Sequence, residues 1–508
     1  MNSLIPLFII IPLATAFLIP IIGKITSYFA KTITPVMLLI LCFYSISFLL
    51  SNSQESYIVG GWQPIDDIPI GIYLVLDGFS ILILCIINVI GFLVAFYSIS
   101  YINKYTSENN FYALFCLMIA GMNGVVLSGD IFNLFVFLEI SVIASYALVA
   151  FGVGKNELEA SFKYQVLGNI ASFLILFSIA LLYWQTKTLN IADISDVLQT
   201  CDDSVFLTFI QILLITGFGL KAAIIPFHAW LPDAHSSAPS PVSAMLSGVL
   251  IKAVGVYVLI RLFFNMFVFT YEIAIIITVL GTLSMIIGSL LAINQRDIKR
   301  LFAYSSISQI GYIILGFGIG MMVLSKGGKE SIAVLAIAGS LFHMVNHAVF
   351  KGLLFLNAGA IEYRTNTRDM NQLGGLSENM PITSATSLGA SMSISGIPPF
   401  NGFFSKLIII IAAVQAQFYL LALLAVIVSI ITLAYFLKFQ KSVFYGKNKN
   451  FKDIKEVPFA MSFSMIVLVI LCLGLSILAI PSVREIILDQ AVNSLINMDE
   501  YINLVIKH

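Results

Sequence analysis

The sequence is divided into long apolar runs, and this repetition constrains the fold more than any single motif. Fourteen runs reach or approach the roughly 20 residues that an α-helix needs to cross a bilayer. We place them at 3–22, 31–50, 72–98, 111–129, 131–151, 161–184, 205–228, 240–265, 272–293, 300–323, 331–360, 382–411, 416–440 and 457–480. None shows the alternation with period two that a membrane β-barrel requires. The sequence therefore predicts an all-α polytopic membrane protein with about 14 transmembrane helices.

Composition supports this class and excludes soluble enzymes, disordered chains and disulfide-built secreted modules. Of the 508 residues, 59% are hydrophobic and 10% are charged, whereas roughly 25% are charged in a soluble domain. The formal net charge is zero, so we expect no nucleic-acid partner. The five cysteines include no CxxC pair, which gives no support for disulfides, iron–sulfur clusters or zinc. We expect the first run to be a retained span, because no positive region precedes it and no cleavage site follows it.

Basic residues between the runs predict the orientation of the chain. When each loop takes the number of the span before it, the odd-numbered loops hold sixteen Lys and Arg residues. The even-numbered loops and the C-terminal tail hold six. Cytoplasmic loops carry the excess of positive charge in most membrane proteins. We therefore expect the odd-numbered loops to lie in the cytoplasm and both termini outside, in the cell inner (plasma) membrane.

Charged residues inside the runs are few and chemically selective. Four lysines, Lys221, Lys252, Lys351 and Lys406, lie in predicted spans together with Glu139, and no arginine accompanies them. A lysine near the bilayer centre costs roughly 2.5–3.5 kcal/mol on insertion scales, so packing alone would not retain it. Burial makes an amine easier to deprotonate and a carboxylate reverses this, whereas arginine stays protonated. The row predicts proton handling, with snorkelling or local neutralisation as the alternative for individual residues.

Two of these lysines lie beside predicted helix breaks. The segment GFGLKAAIIPFHAWLPDAH breaks after Lys221, and SISGIPPFNGFFSK breaks before Lys406. The residues that interrupt these helices are Pro226, Gly396, Pro398 and Pro399. Irregular backbone at membrane depth is tolerated only where it lines a cavity or is buried in protein. Two broken helices about 180 residues apart suggest two repeated halves with sites at the breaks, although an ordinary proline kink is the alternative.

Histidines extend the polar set. His343, His347 and Lys351 are spaced four apart, so they share one helix face. A neutral histidine both donates and accepts a proton and can link lysines in a wire; hydrogen-bonded core histidines are the alternative. No residue is placed to complete a metal or haem site, and we expect no metal, no cofactor and no catalytic residue. His228 and His235 indicate either a cytoplasmic proton inlet or a wet loop.

Five segments resemble the antiporter-like membrane subunits shared by Mrp-type Na+/H+ antiporters, respiratory complex I and membrane-bound hydrogenases. They are NLFVFLEISVIASYAL (133–148), KAAIIPFHAWLPDAHSSAPSPVSAMLSGVLIK (221–252), QRDIKRLFAYSSISQIGY (295–312), HMVNHAVFKGLLF (343–355) and GIPPFNGFFSK (396–406). The residues GGWQP and IGIYLVLD within 60–77 are similar to the D subunits of the Mrp type and their hydrogenase relatives. The segments cover spans five to twelve, and the span count extends the resemblance to the whole chain.

The resemblance implies a fold of two inverted five-helix repeats with additional helices outside them. It divides the chain into three N-terminal helices, the first repeat of helices 4–8, the second repeat of helices 9–13, and helix 14 with a short tail. The corresponding ranges are 1–110, 111–265, 272–440 and 441–508. The resemblance also implies a function for each titratable residue. These are an ion pair of Glu139 and Lys221, a central Lys252, a polar face of His343, His347 and Lys351, and an outer exit at Lys406.

The implied function is proton translocation by one subunit of a multisubunit complex, similar to the D subunit of Mrp-type Na+/H+ antiporters. An antiporter-like subunit of a redox-driven complex, of hydrogenase or NADH-quinone oxidoreductase type, is the alternative. The expected partners are other membrane subunits, the lipid bilayer and protons; passage of Na+, the energy source and the stoichiometry stay open. A third alternative is that this chain itself carries a redox cofactor or a quinone. It is disfavoured, because the sequence offers no ligands for either. A scaffold that has lost transport is disfavoured because all the titratable positions are present.

Overall fold

Helices form most of the protein. The computed structural model describes residues 4–26, 28–51, 53–62, 69, 71–105, 107–200, 205–447, 451 and 454–506. Among these residues, twelve helices are long and apolar enough to cross a membrane, and Leu7–Ile22 and Asn401–Gln415 are shorter apolar helices. The predicted all-α polytopic membrane class is confirmed. The count of fourteen crossings stays a prediction.

The helices are numbered here in chain order. The first ten are α1 Leu7–Ile22, α2 Phe29–Ser51, α3 Gly78–Tyr101, α4 Glu108–Leu127, α5 Ile131–Val149, α6 Lys155–Thr186, α7 Ile191–Gln199, α8 Val205–Ala222, α9 Trp230–Ser237 and α10 Ser240–Asn265. The next ten are α11 Tyr271–Ile293, α12 Ile298–Ser325, α13 Glu330–Thr365, α14 Pro381–Ser395, α15 Asn401–Gln415, α16 Tyr419–Val443, α17 Phe459–Gly474, α18 Pro481–Ile487, α19 Asp489–Ile496 and α20 Met498–Ile506.

A short hairpin precedes α3 and corrects the predicted start of that span at residue 72. Strand β1 (Glu55–Ile58) pairs antiparallel with β2 (Tyr73–Leu76). The helix begins only after Asp77, whose carboxylate accepts a hydrogen bond from the Ser80 amide at 2.9 Å in a capping box. Because β2 is as apolar as the helix that follows it, hydropathy does not reveal this boundary.

Two helix starts in different halves of the chain are alike. The sequence DIFNLFVFLEIS at 130–141 begins α5, and DIKRLFAYSSIS at 297–308 begins α12. In each, the aspartate caps the helix by accepting a hydrogen bond from the amide three residues later, at 2.7 Å for Asp130 and 2.9 Å for Asp297. This likeness is in keeping with the predicted repeats. Their boundaries and inverted arrangement stay a prediction.

Both predicted helix breaks are present in the backbone. Helix α8 ends at Ala222, before the predicted end at 228, and the chain turns through 223–229 before α9. The predicted span 382–411 consists of two helices, α14 and α15, with Gly396 between them at φ +76°, a conformation that glycine adopts readily. Each break contains a cis peptide bond, Ile225–Pro226 in the first and Pro398–Pro399 in the second.

Two basic residues that loop counting assigned to loops are buried in helices. Arg261 lies in α10 with its side chain 3% exposed, and its guanidinium donates two 2.6 Å hydrogen bonds to Asp77. Lys299 lies in the first turn of α12, 3.3 Å from Glu362 of α13. The expectation that no arginine lies in the spans is therefore wrong. Loop counting fails here because each buried charge is satisfied by a partner distant in sequence.

The C-terminal helices pack against the same end of the molecule as the hairpin. The Asn265 side chain at the end of α10 donates to the Ser494 backbone oxygen of α19 at 2.7 Å. The Gly78 amide at the start of α3 donates to the Ser494 hydroxyl at 3.1 Å. Any side chain on Gly78 would meet the Gln490 backbone, so glycine permits this close approach. The tail is thus fixed to the helices that carry the Arg261–Asp77 pair.

Candidate functional site

The structure brings Glu139 and Lys221 together in the first half of the chain. The Lys221 ammonium lies 3.5 Å from a Glu139 carboxylate oxygen, and the side chains are 2% and 23% exposed. Ser172 of α6 lies between them, because its hydroxyl donates to Glu139 at 2.5 Å and accepts from Lys221 at 2.9 Å. The sequence analysis missed Ser172, since an isolated serine in an apolar helix carries no distinguishing signal. The three side chains form a compact hydrogen-bonded group.

Local features explain how this group is positioned. Lys221 is in the last turn of α8, where the helix dipole favours a positive charge. A side chain on Gly217 would lie 2.7 Å from Ile175, so this glycine lets α8 and α6 approach closely. That approach brings Ser172, on α6, within reach of the ammonium. The end of α8 and its close contact with α6 therefore position Lys221 and Ser172. Glu139 comes from a third helix, α5.

Lys252 lies in an irregular part of α10. Two π-helical turns, Leu246–Leu250 and Lys252–Val256, follow each other there. The Lys252 ammonium donates to the backbone oxygens of Ser247 and Gly248, both at 2.6 Å. A π turn leaves carbonyl groups without their usual helical partner, and such turns are frequent at functional sites. Within the described residues, this lysine is held by carbonyl groups and not by a carboxylate.

Hydrogen bonds connect the surroundings of Lys252 with Lys351. The Ser247 hydroxyl lies 2.7 Å from the Ser306 hydroxyl of α12. Ser306 donates to the Phe302 backbone oxygen at 2.8 Å, and the Lys351 ammonium of α13 donates to the same oxygen at 2.8 Å. The two serines were not predicted as site residues. They bring the central lysine and the lysine of the predicted polar face into one buried network.

His343 and His347 lie on the same buried face of α13 as Lys351. His343 shares hydrogen bonds with the Ser405 hydroxyl at 2.9 Å and with the Gln309 side-chain oxygen at 3.2 Å. Neither ring nitrogen of His347 has a hydrogen-bond partner among the described residues. Buried polar groups without a protein partner are normally satisfied by water. We therefore expect water beside His347.

Lys406 lies after the second break, beside the His343 network. Its ammonium donates to the Ile394 backbone oxygen at 2.7 Å and lies 3.5 Å from the Ser429 hydroxyl. It also lies 4.8 Å from the centre of the Tyr312 ring, within the range of a cation–π contact. The preceding residue, Ser405, is bonded to His343, so a short polar connection joins Lys406 to α13.

The two remaining predicted residues, His228 and His235, have different environments. His228 is half-buried in the turn after α8, whereas His235 of α9 is fully buried and has no ring-nitrogen partner among the described residues. A polar crevice of about 330 Å³ lies beside α9 and includes Asp233 and Ser236 in its lining. Neither histidine lines this crevice, but Ser236 follows His235 directly.

The sequence pattern described as "NADH:quinone oxidoreductase/Mrp antiporter, TM" matches residues 128–432, which is more than half of the chain. The chain belongs to this family. A second pattern, described as "NADH-Ubiquinone oxidoreductase (complex I), chain 5 N-terminus", matches residues 62–112. The resemblance inferred from short motifs is confirmed.

Curated relatives include members of both branches. The N subunit of NADH-quinone oxidoreductase from Desulforudis audaxviator is 35% identical over 395 residues, covering 77% of this chain and 75% of the relative. The D subunit of the Na(+)/H(+) antiporter from Alkalihalophilus pseudofirmus is 33% identical over 466 residues, covering 89% of each chain. The A subunit of the same antiporter is 34% identical, but the match covers 59% of that longer protein.

Two solved complexes contain chains of the same fold. A chain of the Mrp complex from Dietzia sp. DQ12-45-1b has a TM-score of 0.87 and 26% identity, with 99% of both chains covered. A chain of the archaeal membrane-bound sulfane sulfur reductase, a respiratory complex, has a TM-score of 0.88 and 28% identity, covering 99% of this chain and 100% of that chain. Both are multisubunit membrane complexes, which agrees with the expected membrane partners.

Proposed function

We propose that this chain moves protons as the D-type subunit of a multisubunit Mrp-type Na+/H+ antiporter. The observation that carries the proposal is the buried polar row, in which Glu139, Ser172 and Lys221 form one end and Lys406 the other. Buried lysines suit proton transfer because they exchange a proton readily when desolvated. The match to an antiporter D subunit over 89% of each chain supports the choice of complex.

The proposed path follows hydrogen bonds between Lys252 and Lys351, and the order of the buried polar residues elsewhere. Protons enter from the cytoplasm beside α9, where the polar crevice, His228 and His235 lie, and reach Lys221. They pass the carbonyl-held Lys252, cross through the Ser247 network to the α13 face, and leave near Lys406. Opening and closing of the Glu139–Lys221 pair would change the proton affinity along the row.

This direction uses the orientation predicted from basic loops, with both termini outside and the odd-numbered loops in the cytoplasm. The proposal also keeps the division of the chain into two repeats, at 111–265 and 272–440. The likeness of the Asp130 and Asp297 caps supports that division. Site-directed labelling of single cysteines in the loops of intact cells tests the orientation, because only outer loops react with an impermeant maleimide.

The transport role is tested with Lys221→Ala. The complex is expressed with its partner genes in cells that lack Na+/H+ antiporters, and Na+-dependent proton movement is measured in everted vesicles. We expect Lys221→Ala to abolish transport while the subunits still purify together. Lys187→Ala is the matched control, because Lys187 is an exposed lysine whose ammonium contacts only Trp184, through its backbone oxygen and its ring, among the described residues. Full transport by an assembled Lys221→Ala complex would contradict the proposal.

A redox-driven complex is the second candidate. The likeness to a chain of the membrane-bound sulfane sulfur reductase and the match to the N subunit of an NADH-quinone oxidoreductase favour it. Affinity purification of the tagged chain from its native membranes separates the two. Copurifying hydrogenase, reductase or dehydrogenase subunits would select the redox complex, and small membrane subunits alone would select the antiporter.

A further inference from the structure

A lateral cavity lies beside Lys406, and its apolar lining suits a ligand other than a proton. It has a volume of about 240 Å³ and lies between α15 and α16. Most of its lining is aliphatic or aromatic: Ile397, Phe403, Leu407, Ile410, Val426 and Ile430. Leu407, Val426 and Ile430 are exposed on the surface of the helix bundle, with Ile430 63% exposed. The cavity therefore opens sideways, toward the hydrocarbon of a membrane.

Polar groups lie at the inner end of this cavity. The Lys406 side chain is almost fully buried, and its lining neighbour Ser395 has a buried hydroxyl with no partner among the described residues. An ammonium has three N–H donors, and two of those of Lys406 are directed to the Ile394 oxygen and the Ser429 hydroxyl. Within the described residues, no carboxylate lies within 4 Å of the ammonium.

The depth of the cavity restricts what reaches it. Ser429 lies ten residues from the start of α16 and fourteen from its end, so it is near the middle of a spanning helix. Ten helical residues correspond to about 15 Å, half of a hydrocarbon core of about 30 Å. A phosphate headgroup keeps its charge and stays in the interfacial region, whereas a fatty acid can reach this depth as the neutral acid and transfer its proton to the Lys406 amine.

We propose that this cavity binds the carboxylate of a fatty acid. The carboxylate would accept charge-assisted hydrogen bonds from the Lys406 ammonium and a further bond from Ser395. The alkyl chain would lie along the apolar lining and leave the cavity past Ile430. The Lys406 ammonium at the inner end favours an anionic group over the headgroup of a zwitterionic lipid. The apolar opening favours an alkyl chain over water. A bound carboxylate would hold Lys406 in its charged form. Binding does not depend on the proposed function; only the effect of that charge on transport rests on it.

Binding is tested without any transport measurement. The intact complex in native membranes is illuminated with a palmitic acid that carries a diazirine on its chain, and labelled peptides are mapped by mass spectrometry. We expect labelling of α15 and α16 that oleate displaces and oleyl alcohol does not. Lys406→Met removes the charged donor, and the labelling of these helices should fall about tenfold, the effect of losing one hydrogen bond to a charged group.

Two further variants keep the test decisive if Lys406→Met fails to assemble. Ile430→Trp fills the mouth of the cavity and should also reduce labelling about tenfold, as expected when a good contact is replaced by a clash. Leu423→Trp is the matched control, because Leu423 is 56% exposed on the same helix but does not line the cavity. Undiminished labelling in Ile430→Trp, or equal displacement by oleyl alcohol, would overturn the proposal. Absence of labelling in the assembled complex would overturn it too, and would point to an acidic side chain of a neighbouring subunit.

Discussion

Lys221 and Lys406 lie beside the two helix breaks, yet their surroundings differ. Lys221 shares the Ser172 hydroxyl with Glu139, so its charge has a carboxylate partner. Lys406 donates to a backbone oxygen and borders an apolar cavity, with no carboxylate within 4 Å among the described residues. The first environment contains a carboxylate–ammonium pair, which we propose opens and closes during transport. The second contains a lysine that has hydroxyl and carbonyl partners but no carboxylate partner among the described residues.

The two similar helix starts also carry different side chains at one equivalent position. When the Asp130 and Asp297 caps are placed in register, Glu139 of α5 corresponds to Ser306 of α12. The serine does not pair with a lysine directly but bonds to Ser247 and to a backbone oxygen. One half thus uses a carboxylate at this position, and the other uses a hydroxyl that extends a hydrogen-bonded network.

The largest effect is expected from removing the carboxylate of the first half. Glu139→Gln keeps the side-chain shape but leaves Lys221 without its charge partner. We expect Na+-dependent proton movement in everted vesicles to be abolished, because the lysine loses the opposite charge that controls its protonation. Recovery of the complete complex on an affinity column verifies assembly. Normal rates would show that the pair is structural and that the two halves do not differ in mechanism.

The second prediction introduces a carboxylate into the second half of the chain, at the position where the first half has Glu139. Ser306→Glu places an acid at the position that corresponds to Glu139, in a fully buried network next to Lys351. A fixed pair would hold a neighbouring lysine in its charged form, and transport should fall by more than about tenfold, since each pK unit of added proton affinity corresponds to about 1.4 kcal/mol. Ser306→Gln, which adds the bulk without the charge, is the control. Equal rates for the two variants would attribute the effect to packing.

The hydroxyl between the paired side chains should matter less than the pair itself. Ser172→Ala removes one hydrogen bond to Glu139 and one from Lys221. Hydrogen bonds to charged groups contribute about 1.5–3 kcal/mol, so we expect an initial transport rate reduced about tenfold. Ser178→Ala is the control, because Ser178 is buried in the same helix and bonds only to its own helix backbone among the described residues. Similar losses in both variants would mean that the hydroxyl acts through helix packing.

The sequence predicts the parts of this structure that depend on local signals. Apolar runs locate the helices, and prolines with Gly396 locate both breaks, because hydropathy and backbone restrictions act within a few residues. The spacing of His343, His347 and Lys351 places them on one face for the same reason. The meeting of Glu139 and Lys221 was expected from the family resemblance, since no local pattern joins residues on separate helices.

Other features depend on contacts between distant segments and were not predicted. Arg261 was counted as a loop residue, and only the folded chain brings it to Asp77, 184 residues away. Ser172 and Ser306 are ordinary small residues until neighbouring helices place a charge or another hydroxyl beside them. Helices in membranes often use such small polar residues at their contacts, so their presence alone does not identify a site.

The smallest effect is expected at Ser429, and it completes the contrast between the two lysines. Ser429→Ala removes a hydroxyl that lies 3.5 Å from the Lys406 ammonium, a distance at the limit of a hydrogen bond. The ammonium keeps its 2.7 Å bond to the Ile394 oxygen, so transport should change by less than about twofold, the scale of a weak surface-like contact. The same vesicle measurement places this variant beside Ser172→Ala. If both serines reduced the rate tenfold, the hydroxyl near each lysine would be required in itself, and the carboxylate would no longer explain why the two halves differ. A loss at Ser172 alone would show that the serine acts through the carboxylate it joins to Lys221.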